Sequence, residues 1–280
     1  MIEFRNMQLY ETPEEVKEVL KDDKKIMELD IHPIIKDLLL KADKEQLLKN
    51  VDLHMKKIED HSYYVGEFCI QAGIPERGAC HDMSKWSAVE LFESIYFYEG
   101  TRSPIDKANE VIGWSPAFTQ HVRLNDHQLE NSIYLNGGMV KPVEKTMDAA
   151  IETVCDFCGA AKAYMGDKFT FKGELEWWHK RLEMLQEAGT IHPKMAEFIT
   201  QALEVCAQRE AMIDYATFED IWDYVHQEKT QSKDETILEE IQITAADDIL
   251  NSEGCNTTQN VEVDNFFITE DIAEEEDIGL

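Results

Sequence analysis

The chain has 280 residues, 43% of them hydrophobic and 30% charged, and carries a formal net charge of −30. That length is enough to bury a substantial core, and so acidic a surface repels nucleic-acid phosphates and argues against nonspecific DNA or RNA binding. No apolar run approaches the ~20 residues that cross a bilayer, and Met1-Ile2-Glu3-Phe4-Arg5 lacks the basic flank and apolar stretch of a signal peptide. Six scattered cysteines (Cys69, Cys80, Cys155, Cys158, Cys206 and Cys255) suggest reduced thiols in a cytoplasmic protein rather than a disulfide framework.

Helical signals follow one another along the chain. Thr12-Pro13-Glu14-Glu15 supplies a hydroxyl cap, a proline at the first position and acids in the first turn. A second helix starts near Pro33 and carries Ile34, Ile35, Leu38, Leu39 and Leu40. Residues 45–72 form one long helix with Leu47, Leu48, Val51, Ile58, Val65, Phe68 and Cys69 in its apolar stripe, closed by Gly73-Ile74-Pro75. Helices are expected around 76–98, 116–124, 143–165, 174–188 and 193–226, with Gly and Pro between them. Strand signals are weak up to residue 228, so the predicted class is all-α. Trp177-Trp178-His179 is expected to be core packing with a solvent-facing edge, and the stripe Met195, Phe198, Ile199, Leu203, Met212, Ile221 and Trp222 to be core.

The organisation predicted is a helical extension over 1–44, a helical metal-binding domain over 45–228 and an acidic tail over 229–280. Residues 230–280 hold 15 acidic residues and one lysine. Like charge with little apolar area favours disorder. Within the tail, Asp264-Asn265-Phe266-Phe267-Ile268 and Asp277-Ile278-Gly279-Leu280 either dock into a basic-rimmed groove of a protein partner or merely solvate.

The chemistry concentrates around Ala79-Cys80-His81-Asp82-Met83-Ser84-Lys85-Trp86. An imidazole and a carboxylate on adjacent residues are the mixed N/O donors that divalent transition metals take; a surface loop is the competing reading. On a helix, His61 shares a face with Tyr64, Val65, Phe68 and Ala72 and points inward, as a ligand or as a core histidine bonded to a carbonyl. Asp156 lies among Ala149, Thr153, Ala160 and Ala163. An inward carboxylate there needs a metal or a cationic partner, and small neighbours let the helix approach an ion. His121 and His127 stand about 240° apart on an ideal helix, so both converge only if Asn125-Asp126 breaks it. Cys155 and Cys158 form a lone CxxC, with no second pair to make a zinc or redox site.

The order His61…His81-Asp82…Asp156 resembles the H…HD…D of the HD-domain metal-dependent phosphohydrolases. More closely, His61-Ser62-Tyr63-Tyr64-Val65, Ala72-Gly73-Ile74-Pro75 and His81-Asp82-Met83-Ser84-Lys85-Trp86-Ser87 are similar to an uncharacterised bacterial and phage family marked by an HDxSK motif. Gln120-His121-Val122-Arg123-Leu124-Asn125-Asp126-His127 and Glu152-Thr153-Val154-Cys155-Asp156-Phe157 resemble its later blocks, so the likeness covers roughly residues 55–190. The resemblance implies an HD-like helical bundle in which His61, His81, Asp82 and Asp156 hold a divalent ion. His54, two turns before His61 on the same face, is the alternative ligand because the His61–His81 spacing is short for HD domains. Mixed N/O ligation favours Mn, Fe, Co or Ni, with Zn remaining open. The activity implied is hydrolysis of a nucleotide or related small phosphoester. Lys85 and Arg123 would neutralise phosphate oxygens, and His121 and His127 would complete a second metal site or act as general acid. The rival reading is a non-catalytic interaction protein that docks a basic partner through its tail.

Overall fold

In the computed structural model, residues 7–227 are described; the expectations placed on the acidic tail lie outside them. The described chain is all-α: twelve α-helices and one two-stranded hairpin. Helix α1 (Pro13–Leu20) opens with a reciprocal cap, Thr12 Oγ1 accepting from the Glu15 amide while the Glu15 carboxylate accepts from the Thr12 amide. Helices α2 (Asp23–Glu28) and α3 (Pro33–Lys41) lead into α4 (Lys44–Gln71), which Asp43 caps through the amides of Glu45 and Gln46. At 28 residues α4 is about 42 Å long. Helices α5 (Pro75–Cys80), α6 (Ala88–Phe97), α7 (Pro104–Ile112), α8 (Pro116–Leu124), α9 (Met147–Met165), α10 (Phe171–Glu187), α11 (Pro193–Arg209) and α12 (Tyr215–His226) complete the helical set.

Two apolar cores meet on α4. Its first half, through Leu47, Val51, Met55 and Ile58, packs with Val16, Leu20, Ile35 and Leu39 of the N-terminal helices and with Leu91, Phe92 and Ile95 of α6. Its second half, from Val65 to Cys69, packs with Ile151, Val154 and Cys158 of α9 and with Trp178, Phe198, Leu203 and Phe218. Between Ile58 and Val65 the buried residue is His61. The polar centre therefore sits where the two cores abut.

Several elements differ from the sequence reading. The expected helix over 76–98 is three pieces, because Asp82 adopts a left-handed conformation (φ 55°) that ends α5 and starts the short 3-10 turn Met83–Trp86. The expected helix over 193–226 breaks at Glu210, also left-handed (φ 48°), and α12 restarts under an Asp214 cap. Helices α2 and α7 were not foreseen. Neither was the hairpin of β1 (Ile133–Asn136) and β2 (Met139–Pro142), which turns on Gly137-Gly138, both at positive φ as a tight hairpin turn requires. Helix α9 begins at Met147 under a Thr146 cap rather than at 143. The stripe from Met195 to Ile221 is core, as is Trp178, whose Nε1 donates to Thr200 Oγ1 at 2.9 Å. No helix among the described residues is long and apolar enough to cross a membrane, and the five cysteines among them are free.

Helix α9 crosses α4 at Gly159. A Cβ there would lie 2.4 Å from Val65 Cγ2 and 2.9 Å from the Val65 amide nitrogen. Only glycine permits this approach, and it brings Asp156 on α9 to His61 on α4.

Candidate metal centre

Four side chains from three segments converge: His61 from α4, His81 and Asp82 from the break after α5, and Asp156 from α9. His61 Nε2 lies 3.1 Å from His81 Nε2, 3.1 Å from Asp82 Oδ2 and 3.3 Å from Asp156 Oδ1. His81 Nε2 lies 3.3 Å from Asp82 Oδ2 and 3.4 Å from Asp156 Oδ1. One ring nitrogen with at most one proton cannot hydrogen-bond all of these neighbours. Ligand atoms about 2.0–2.1 Å from one ion stand about 3.0–3.4 Å from each other, so the separations match the edges of a coordination polyhedron. His54 is not in this group, which leaves His61 as the α4 donor.

Asp82 faces both ways. Its other oxygen, Oδ1, lies 3.4 Å from His121 Nε2 and 3.4 Å from His127 Nε2. Helix α8 ends at Leu124, and the turn that follows brings His127 round beside His121. Asp82 Oδ1 is buried with no hydrogen-bond partner. A carboxylate oxygen enclosed among imidazole nitrogens and left unpaired is the donor a cation would satisfy. Asp82, His121 and His127 thus form a second donor group sharing Asp82 with the first.

A ring of carboxylates behind the histidines sets their orientation. Glu152 Oε1 accepts from His81 Nδ1 at 2.8 Å and His127 Nδ1 at 3.0 Å, and Glu90 Oε2 accepts from His121 Nδ1 at 2.8 Å. With the proton on Nδ1, each ring presents the Nε2 lone pair to the centre, as metal-binding histidines do. Glu152, His81 and His127 also lie close enough to be a ligand group by themselves. However, Arg77 donates to the second Glu152 oxygen and to Asp126, and that cation disfavours an ion beside it. Asn125 Nδ2 donates to Ser84 Oγ and to the His121 carbonyl, both at 2.8 Å, tying α8 to the Asp82 turn.

The electrostatics are those of excess negative charge. Burial alone would push the His81 imidazolium down, but Asp82, Asp156 and Glu152 hold its pKa well above the ordinary value. His127 behaves likewise: against burial, Asp82 and Glu152 push it up to about 9. His61 is the exception, lowered to about 4 by burial and by the Lys85 charge. Despite burial, Asp82 is held well below the usual carboxylate range by His81, Lys85 and His121, and Glu152 falls to about 2 through His127 and His81. Protons on His81 and His127 balance the carboxylates here, and a divalent cation would displace them.

Lys85, on the 3-10 turn, places Nζ 2.7 Å from Asp82 Oδ2. Arg123 is exposed on α8 and is not brought to the cluster. Of Gly78-Ala79-Cys80, expected to be interior, only Gly78 is buried. Cys155 and Cys158 are buried in the core, their thiols pushed up by burial. Glu90, Glu152 and Arg77 were missed by the sequence reading. Glu152 and Glu90 sit one helical turn from Asp156 and three residues after Ser87, respectively, and nothing local distinguishes them from surface acids.

The profile of a family described as "Family of unknown function (DUF5662)" matches residues 50–205. The chain belongs to DUF5662. The matched span contains every donor of the cluster and the carboxylates behind it. No curated protein and no solved structure matches the chain.

Proposed function

We propose that this chain is a metal-dependent phosphohydrolase with an HD-like centre, acting on a nucleotide or related small phosphoester. The observation that carries the metal is the convergence of four imidazoles and Asp156 around Asp82, whose Oδ2 faces His61 and His81 and whose unpaired Oδ1 faces His121 and His127. His61, His81, Asp82 and Asp156 would hold one divalent ion, and Asp82, His121 and His127 a second. The paired Nδ1 atoms of His121 and His127 favour ligation over a general-acid role. A bound Mn, Fe, Co, Ni or Zn ion supplies Lewis acidity and lowers the pKa of a coordinated water. Glu90 and Glu152 keep the imidazoles aimed and basic. Lys85 holds its ammonium beside Asp82, where a phosphoryl oxygen would find a counter-charge. Arg123 has no part in this reading.

The order H…HD…D and the Lys85 cation support phosphoester hydrolysis over other metal chemistry. The rival, a non-catalytic docking protein, gives no reason for buried carboxylates to hold three imidazoles, Glu152 those of His81 and His127 and Glu90 that of His121. Asp82→Asn keeps the shape and removes the shared anion. Loss of both bound metal and phosphate release from a phosphomonoester panel is expected. Metal lost with no phosphate release by the wild type would end the hydrolase reading, and loss of neither would end both.

A further inference from the structure

Gln128 stands outside the donor set, yet its side chain reaches it. The residue follows His127 in the turn after α8, and its Nε2 lies 3.0 Å from His127 Nε2 and 3.2 Å from Asp156 Oδ2. An amide nitrogen carries two hydrogens and accepts none, so each contact needs an acceptor on the other side. Asp156 supplies one permanently: its Oδ1 faces His61 and His81, which leaves Oδ2 to Gln128. His127 Nε2 accepts only while its single lone pair is free. That lone pair is the one a proton or a cation takes.

The backbone holds this amide in place. Three successive carbonyls of the turn are engaged by side chains: Lys145 Nζ donates to those of Asp126 and Gln128, each at 2.6 Å, and Thr153 Oγ1 to that of His127 at 2.6 Å. Lys145 and Thr153 are both buried. Gln128 itself is half-buried, and it touches the most open of the six donors. The Asp156 side chain is 12% exposed, against 0% for His81, 1% for Asp82 and 2% for His127, with His61 and His121 in between. A ligand from solvent therefore meets the centre beside Asp156, where Gln128 stands.

A cation on His127 Nε2 deprives the second Gln128 N–H of its acceptor, on a turn that is pinned at three points. A donor left without an acceptor costs free energy, and a donor fixed in advance beside negative charge stabilises that charge. We propose that this N–H takes a phosphoryl oxygen of a substrate bound at the cation, while the other N–H stays on Asp156 Oδ2. This rests on the phosphohydrolase reading. A neutral amide suits the position because it adds no positive charge against the ion. Lys85, on Asp82 Oδ2, supplies the counter-charge from a different segment.

The full chain, labelled with 15N and loaded with Zn²⁺, tests this with inorganic phosphate as the probe, by side-chain amide NMR and calorimetry. In the wild type, phosphate should shift the Gln128 side-chain amide, a readout that needs no variant to fold. Gln128→Met, close in length but without donors, should bind phosphate about 10- to 100-fold more weakly, the range for a hydrogen bond to a charged group, with zinc content unchanged. Gln128→Glu keeps the shape and adds a negative charge, so it should weaken phosphate further while retaining zinc. Loss of zinc in Gln128→Met would make Gln128 a ligand or a scaffold residue. Phosphate that binds the wild type and leaves the amide unmoved would show that Gln128 does not touch the anion. Either result overturns this inference and leaves the phosphohydrolase reading standing. Zinc-loaded wild type that binds no phosphate would remove the phosphohydrolase reading and this inference with it.

Discussion

At the scale of single residues, the centre depends on which atom of each side chain faces inward. Glu152 fixes two imidazoles through one oxygen while Arg77 holds the other. Glu152→Gln replaces one acceptor oxygen by an amide donor and lets His81 or His127 rotate. Metal affinity should fall by about 10–100-fold, the usual consequence of removing such a partner, measured by competition with a chelating dye; an unchanged affinity would show that Glu152 does not orient the ligands. Glu174 gives a pH prediction. Burial, with the Asp156 charge nearby, pushes its carboxyl up to about 8. The folded chain then holds a proton that the unfolded chain releases near the ordinary glutamate value of about 4.3. This contribution to stability is fully present below the unfolded value and is lost as pH rises toward 8. In chelator-treated protein, Glu174→Gln should melt higher relative to wild type at pH 8 than at pH 5. Parallel melting curves across that range would contradict the shift.

At the scale of elements, glycine spacing and helix breaks position the donors. Gly159→Ala drives a methyl group into Val65 and must separate α4 from α9. Overpacking of this kind costs about 1–3 kcal/mol. Because the same crossing sets the His61–Asp156 approach, metal affinity should weaken together with the melting temperature. Destabilisation with metal affinity intact would mean the crossing and the centre are independent. The long periodic stripe of α4 and the capped start of α1 were readable in the sequence because apolar spacing and caps are local signals. The HD pair was readable as adjacent nitrogen and oxygen donors, His61 as a polar residue on an apolar helix face and Asp156 as a carboxylate among small residues. The breaks at Asp82 and Glu210 were not, because nothing adjacent marks a non-glycine residue that adopts positive φ. Glu90 and Glu152 were hidden for the complementary reason. Their partners, His121 and His81, are 31 and 71 residues away, and only tertiary packing distinguishes a buried acid from the many exposed ones.

At the scale of the whole molecule, the two cores meeting on α4 place a polar, charge-rich layer between them. Such a layer is costly to bury when its charges are imperfectly paired. A divalent cation binding only the folded chain adds stability by mass action, about 2.7 kcal/mol at a hundredfold excess over Kd. Chelation should therefore lower the melting temperature, and re-addition of Mn, Fe, Co, Ni or Zn should restore it in proportion to affinity. The central claim is that six side chains from α4, α8, α9 and the turns after α5 and α8 form one cation-binding centre. Elemental analysis of the full chain purified without added metal or chelator tests it most directly. Between one and two equivalents of a divalent transition metal per chain, lost in Asp82→Asn and in Asp156→Ala, is the predicted result. Wild-type protein that carries no metal and takes up none when these ions are supplied would contradict it.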